Sequence, residues 1–339
     1  MRMSPAVAAG AAASVFPGGV PRIGLGLAAI GRPGYITTGR AHDLGAGADR
    51  SEAAMRARAE ALLDAAWAGG VRWFDCARSY GEAESFVGRW LAAREIDPVE
   101  CVVSSKWGYR YTAGWRIDTG GEPHEVKDHS LAHLNSQVPE TVEAIGPYVK
   151  LYQVHSATFD SGVLGDAAVH DALAALRADR GWRLGLSVSG TAQAAVLDAA
   201  LAIERPAGVR LFDSVQVTFN VFEQAPLEAL SRAHAAGCAV VVKEALANGR
   251  VLAHAGLRAH AAELGCAVDA LALACVLAQP FEPFVLSGAA TPEQLASNLG
   301  AHHVAESLRA DPRRLAAIMA DCRQDSQEYW TNRADLAWK

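Results

Sequence analysis

The feature that most restricts how this chain can fold is an alternation. Short apolar, β-branched runs are separated by longer stretches of helical period, and the pair recurs eight times. The apolar runs are residues 22–27, 71–75, 101–105, 149–155, 183–187, 213–218, 239–243 and 283–287. Helices are predicted at 51–67, 82–94, 129–145, 165–180, 191–203, 226–236, 255–277 and 291–299. Several carry start signals: Ser51 followed by Glu52, Thr191 ahead of an Ala-rich turn, and Thr291-Pro292-Glu293, where Pro falls in the first turn and its missing N–H does no harm. The runs read as largely continuous apolar segments rather than as alternations with polar residues, as expected for parallel strands covered on both faces. The pattern predicts an α/β fold, a (β/α)8 TIM barrel.

A chain of 339 residues can fill one such domain, and no polar low-complexity segment divides it. The expected organisation is a flexible N-terminal segment over residues 1–20 and a single barrel over 21–339. A long Gly-rich first βα loop, 28–50, is expected over one end of the barrel. A C-terminal helical extension, 304–339, with a helix opening at Asp311-Pro312, is expected across the mouth. The structural competitor is a doubly wound sheet, because Gly24-Leu25-Gly26-Leu27-Ala28-Ala29 fits the G-x-G-x-x-G/A pattern. That pattern requires a helix immediately afterwards, and Gly31-Arg32-Pro33-Gly34 breaks one, so the barrel is preferred.

Apolar residues make up 51% and charged residues 20%, which excludes a disordered chain. The formal charge is −6, with the basic residues dispersed, so no footprint for nucleic acid or an anionic membrane is present. A small-molecule partner is expected. The six cysteines form no C-x-x-C pair and most lie in or beside apolar stretches, which points to a reducing cytoplasm. Arg2 ahead of the Ala-rich run 6–16 resembles a signal peptide only weakly, since the run contains no Leu. No run approaches the ~18 apolar residues of a membrane span. His129 and His133 have H-x-x-x-H spacing, with His124 nearby, but no acidic or Cys ligand stands at a matching interval, so no metal is expected.

In a barrel, chemistry gathers where the βα loops leave the C-terminal ends of the strands. The second run ends in Asp75, with Arg78-Ser79-Tyr80-Gly81 following; the third leads into Ser104-Ser105-Lys106; the fourth ends in His155. Taken singly, each has an ordinary reading: Asp75 as a helix cap, Tyr80 as a rim aromatic, Lys106 as surface charge, His155 as a satisfied structural histidine. Together they make a proton-delivery site. A tyrosine of pKa about 10 gives up its proton poorly unless a cation favours the phenolate. Lys106 supplies the cation, Asp75 keeps a buried lysine charged, and His155 can hydrogen-bond the same carbonyl oxygen.

The blocks Trp73-Phe74-Asp75-Cys76-Ala77-Arg78-Ser79-Tyr80-Gly81, Ser104-Ser105-Lys106 and Leu151-Tyr152-Gln153-Val154-His155, in this order, resemble the aldo-keto reductase superfamily. The resemblance extends from about Arg22 to Asn298. It implies a barrel binding NADP(H) or NAD(H), with Tyr80 as general acid, Lys106 and Asp75 as its tuning pair, and His155 orienting the carbonyl. Ser187 and Gln216 resemble the family's positions beside the nicotinamide carboxamide, with Val188 where an Asn often follows. Lys243 falls where the family usually has an aromatic stacked on the nicotinamide. A cation there would oppose the oxidised ring, or pair with Glu244.

Ser287, Gly288, Gln294 and Asn298 resemble the adenosine-phosphate loop and the helix start that follows it. Gly288 and Gln294 stand where members selective for the 2′-phosphate carry basic residues, which keeps NAD(H) open. Trp107, with Tyr109, Tyr111 and Trp115, is expected to line the substrate mouth or to pack at its rim. The implied activity interconverts a carbonyl and an alcohol on a small molecule, sugar-like ones included. Two other readings stand beside it: a cofactor-binding regulatory barrel without turnover, and a lyase or isomerase using Lys106 for a Schiff base. The motifs carry no signal for oligomeric state.

Overall fold

In the computed structural model, which describes residues 15–39, 43–45, 47–205 and 208–339, all eight apolar runs form strands. They are β1 (Ile23–Gly26), β2 (Trp73–Asp75), β3 (Val102–Trp107), β4 (Val149–Ala157), β5 (Arg183–Val188), β6 (Ser214–Thr218), β7 (Ala239–Lys243) and β8 (Phe284–Ser287). Each pairs in parallel with its neighbours in the chain, and β8 returns to β1, closing the barrel. The surrounding helices are α1 (Glu52–Ala68), α2 (Ala83–Ala93), α3 (Leu131–Ile145), α4 (Ala167–Arg180), α5 (Gln193–Leu201), α6 (Leu227–Ala235), α7 (Ala255–Leu264), α8 (Val268–Leu277) and α9 (Pro292–Leu299). The C-terminal extension adds α10 (Ala301–Ala310), α11 (Pro312–Cys322) and α12 (Ser326–Ala334).

Local chemistry sets most of these boundaries. The Ser51 side chain accepts the Ala54 N–H at the start of α1, and Thr291 accepts that of Gln294 at the start of α9, where Pro292 is the first helical residue. Asp311 caps α11 in the same way through the Arg314 N–H. Thr191 does not cap α5, whose N-cap position is Ala192 without a side-chain acceptor. The single helix expected over 255–277 is two helices bent by 88°. Gly265 causes the break: it takes a left-handed φ of 65° and turns its N–H back on the Ala261 and Ala262 carbonyls, a helix ending that glycine adopts without strain. Among the described residues no single helix is long and apolar enough to cross a membrane.

Two apolar layers result. Between sheet and helices lie Phe74, Val103, Tyr152, Leu184, Val215, Val240 and Val285. Inside the barrel lie Trp73, Val102, Leu151, Ala239, Val241, Phe284 and Leu286, with the larger rings at the N-terminal ends of their strands. Of the leading segment, residues 1–14 lie outside the described residues. Val15 and Phe16 are buried, Phe16 stacking on Phe284 at 3.9 Å and meeting Trp73 edge-on at 4.9 Å.

Gly24 is required by the same packing. A Cβ there would stand 2.1 Å from Trp73 Cε3, and the indole is held in place by its N–H bond to Ser104 Oγ at 2.9 Å. Gly24→Ala should therefore lower stability by about 1–3 kcal/mol or more, read from urea unfolding midpoints; an unchanged midpoint would contradict this packing.

The opposite end of the barrel is covered by chain segments. After β3, Tyr109–Tyr111 and Glu125–Lys127 pair as an antiparallel hairpin. The C-terminus adds a short bridge between Ile36 and Trp338, extended by reciprocal backbone bonds between Tyr35 and Lys339 at 3.0 and 3.2 Å. The extension thus lies across the mouth, as expected, tied to the long first loop.

Candidate active site

The ends of β2, β3 and β4 bring three of the four expected side chains together through sheet register. Asp75 closes β2 opposite Ser104, and Lys106 stands in β3 opposite Gln153 of β4. Both charges are buried. Lys106 Nζ forms an ion pair with Asp75 Oδ2 and donates to the Cys76 carbonyl at 2.9 Å. Asp75 Oδ1 accepts from Ser104 Oγ at 2.7 Å and from the side-chain amides of Gln153 and Gln216 at 3.3 Å each. A buried ion pair persists only when its remaining hydrogen-bonding capacity is met in this way.

Tyr80 lies over this pair, on the loop after β2. Gly31 and Gly81 let that loop press against the first βα loop. A Cβ on Gly31 would stand 2.4 Å from the Tyr80 carbonyl, and one on Gly81 2.5 Å from the Gly31 carbonyl. Lys106 Nζ is 4.9 Å from the Tyr80 ring centroid, and the Arg32 guanidinium is 5.1 Å from it. Arg32 is itself buried, pairing with Glu125 at 3.0 Å and lying 4.6 Å from the Trp338 ring.

The phenol oxygen of Tyr80 is 3.4 Å from His155 Nε2, and Ser79 Oγ is 3.4 Å from His155 Nδ1. Burial, with help from the Asp75 charge, raises the Tyr80 phenol well above its ordinary pKa, while Arg32 opposes the rise. Burial lowers His155 well below its ordinary value, reinforced by the charges of Lys106, Lys243 and Arg32. At neutral pH the pair is therefore a neutral phenol beside a neutral imidazole, whose Nε2 can donate in the tautomer where Nδ1 accepts from Ser79 Oγ.

His155 is aimed by an irregularity in β4. The register against β5 shifts between Val154 and Ala157, and Ser156 takes a φ of 52°, uncommon for a residue with a side chain. Ser187 Oγ holds this bulge by accepting the Ser156 N–H at 2.8 Å. On the other side His129 Nε2 donates to the His155 carbonyl at 2.9 Å, and burial lowers His129 to about 4. Between the ordinary value of 6.5 and about 4, the unfolded chain therefore binds a proton that folded His129 refuses. Stability should fall as pH drops through that window and be unaffected by this group above it. His129→Gln should flatten part of that fall in urea midpoints measured at pH 7 and 5; an identical pH dependence would contradict the assignment.

One cavity is lined by Asp75, Tyr80 and His155 and also by Gln216, Lys243, Ser287, Gly288, Gln294 and Asn298. Gln294 accepts the Ala290 N–H at 2.9 Å and donates to Asp43 at 2.7 Å. The Asn298 amide turns its nitrogen to Asp269 at 2.9 Å and its oxygen to the Ser287 hydroxyl at 2.8 Å. Three expected residues stand apart from the lining: Ser187, Trp107 and Lys106, which is buried beneath Tyr80. Ser187 is fully buried, with its hydroxyl engaged on Ser156. Trp107 is fully buried too and packs edge-on against His129 at 5.6 Å. Lys243 forms no ion pair with Glu244, because Arg333 of α12 holds that carboxylate at 2.6 Å. Lys243 Nζ donates instead to Ser189 Oγ at 2.9 Å and Thr218 Oγ1 at 2.7 Å. Lys106, engaged by Asp75 and the Cys76 carbonyl, is poorly disposed to act as a Schiff-base amine.

Sequence reasoning missed several wall residues: Arg32, Glu125, Ser189, Arg333 and Trp338. Only Ser189 carried a usable signal, as a polar residue just beyond the end of an apolar run. Arg32 sits in the very segment that marked a broken helix, and Trp338 is the penultimate residue of the chain.

Residues 23–311 match the model of the aldo/keto reductase family. No curated protein matches the chain in sequence. Among solved structures, one similar to this chain is the aldo-keto reductase AKR11C1 from Bacillus halodurans in its holo form. It is 17% identical, with 88% of this chain and 92% of that one covered, at a TM-score of 0.61. PA4992 of Pseudomonas aeruginosa, described as an aldo-keto reductase, is 23% identical over 84% and 92% of the two chains, at a TM-score of 0.57. A protein described as a 2,5-diketo-D-gluconic acid reductase B is 19% identical over 91% and 89%, at 0.60. At these identities the likeness is one of fold.

Proposed function

Because the chain belongs to the aldo/keto reductase family, we propose that its cavity takes a nicotinamide dinucleotide, NADP(H) or NAD(H), and interconverts a carbonyl and an alcohol on a small molecule. The observation that carries this reading is the assembled tetrad: a buried Lys106–Asp75 pair beneath Tyr80, with His155 at 3.4 Å from the phenol oxygen. In reduction, Tyr80 Oη holds the proton that the carbonyl oxygen will need. His155 Nε2 donates a second hydrogen bond to that oxygen and fixes its direction. Lys106 favours the phenolate left behind, and Asp75 is the counter-ion that offsets the cost of burying its ammonium.

The dinucleotide supplies hydride when bound. The residues present suit such a group. Gly288 has nothing within 4 Å of the point a Cβ would occupy, so backbone ahead of the α9 N-terminus stays open to the cavity where an anion is favoured. Ser287, Gln294 and Asn298 would border its adenosine phosphate, and Gln216 its carboxamide. Ser187 would act one step back, by fixing the bulge that aims His155. A regulatory barrel needs only the cofactor side, so the complete tetrad favours turnover. Fluorescence titration with NADH and NADPH, followed by a panel of carbonyl substrates, tests the reading: saturable binding with consumption of reduced cofactor supports it, and binding without consumption supports the regulatory barrel.

A further inference from the structure

We propose that Lys243 receives a carboxylate of the substrate, so that the compounds turned over are carbonyls or alcohols bearing a carboxylate; the substrate identity rests on the reductase reading above. Other cations in the cavity wall and beneath it are matched by carboxylates. Arg32 is paired with Glu125, Arg333 with Glu244, and Lys106, beneath Tyr80, with Asp75. Lys243 is held by two neutral hydroxyls, Ser189 Oγ and Thr218 Oγ1, and among the described residues no carboxylate forms an ion pair with it. The adjacent carboxylate, Glu244, is bound by the guanidinium of Arg333. An ammonium has three donors, and two are used by those hydroxyls.

A recessed cation held only by hydroxyls keeps a desolvation cost that an anionic ligand can offset. The position suits that role, because Lys243 shares the cavity with Tyr80 and His155 and lies near enough for its charge to weigh on His155. One ammonium with one donor left matches a carboxylate oxygen better than a phosphate, which usually draws on several donors. Around Lys243, Glu244 and Asp75 favour its charge, Arg333 and Lys106 oppose it, and His155 is uncharged; burial prevails and lowers it to about 8. The amine is thus charged at pH 7, and its hold on an anion should fade as the pH rises past about 8.

Calorimetric titration of the protein with benzoate and with benzamide, similar in shape and different in charge, tests this with and without saturating NADPH or NADH. Benzoate is expected to bind at least about tenfold more tightly than benzamide at pH 7, with the preference lost in Lys243→Met and diminished at pH 9. Lys243→Arg, which keeps the charge, should retain the preference, separating lost charge from a misfolded variant. Equal affinities, no benzoate binding, or an unchanged preference in Lys243→Met would overturn the proposal. So would displacement of benzoate by the dinucleotide together with Lys243-dependent binding of inorganic pyrophosphate, which would assign the amine to the cofactor's phosphates. Charge discrimination is read without turnover, so a chain that shows it yet consumes no reduced cofactor would contradict the reductase reading alone.

Discussion

Tyr80→Phe is expected to lower kcat for carbonyl reduction by about 10²–10⁴-fold while changing dinucleotide affinity by less than about twofold. The substitution removes one oxygen, which is 3.4 Å from His155 Nε2 and carries the proton in this account. The Phe ring would keep the contacts of the Tyr80 ring with Arg32 and Lys106, so the cavity wall should survive. His155 is a poor replacement as acid, because burial, reinforced by the cations around it, holds it neutral. Steady-state kinetics beside a fluorescence titration separates the two quantities. Undiminished turnover would remove Tyr80 from the mechanism.

The second large effect is expected at the buried ion pair. Lys106→Met should destabilise the fold by about 3–5 kcal/mol and abolish reduction, because it leaves the nearly buried Asp75 carboxylate without its counter-ion. The double variant Lys106→Met with Asp75→Asn removes both charges. It should regain much of the lost stability in urea unfolding while remaining inactive. That divergence would separate the electrostatic role of Lys106 toward Tyr80 from its part in packing; a double variant that recovers activity would show that the pair is structural only.

How far the sequence could be read depended on whether a feature was local. The barrel was legible because a buried parallel strand is covered on both faces, which leaves eight runs dominated by apolar residues. The tetrad was legible because three of its members end strands or nearly so, where register sets Asp75 and Lys106 on one face and the β4 bulge turns His155 toward them. The break at Gly265 was hidden by unbroken apolar residues on either side, although a single left-handed glycine suffices to end α7.

The walls of the cavity depended on long-range docking. Arg32 earns its place only when the hairpin brings Glu125 and the C-terminus brings Trp338, and neither association leaves a trace in local periodicity. Ser187 illustrates a different limit. Its position beside the reacting end was expected, but the bond it makes depends on a bulge at Ser156 that no pattern of residue types announces. Lys243 likewise changed partner: neighbours in the chain suggested Glu244, whereas the fold gives that carboxylate to Arg333.

The most direct test of the account is the fate of a label. With NADPH or NADH carrying two deuterium atoms at C4 of the nicotinamide, single turnover of a reducible carbonyl compound should yield an alcohol with one deuterium on the former carbonyl carbon, at a rate that collapses in Tyr80→Phe. An alcohol without deuterium at that carbon, or labelled product formed equally fast without the phenol, would contradict it.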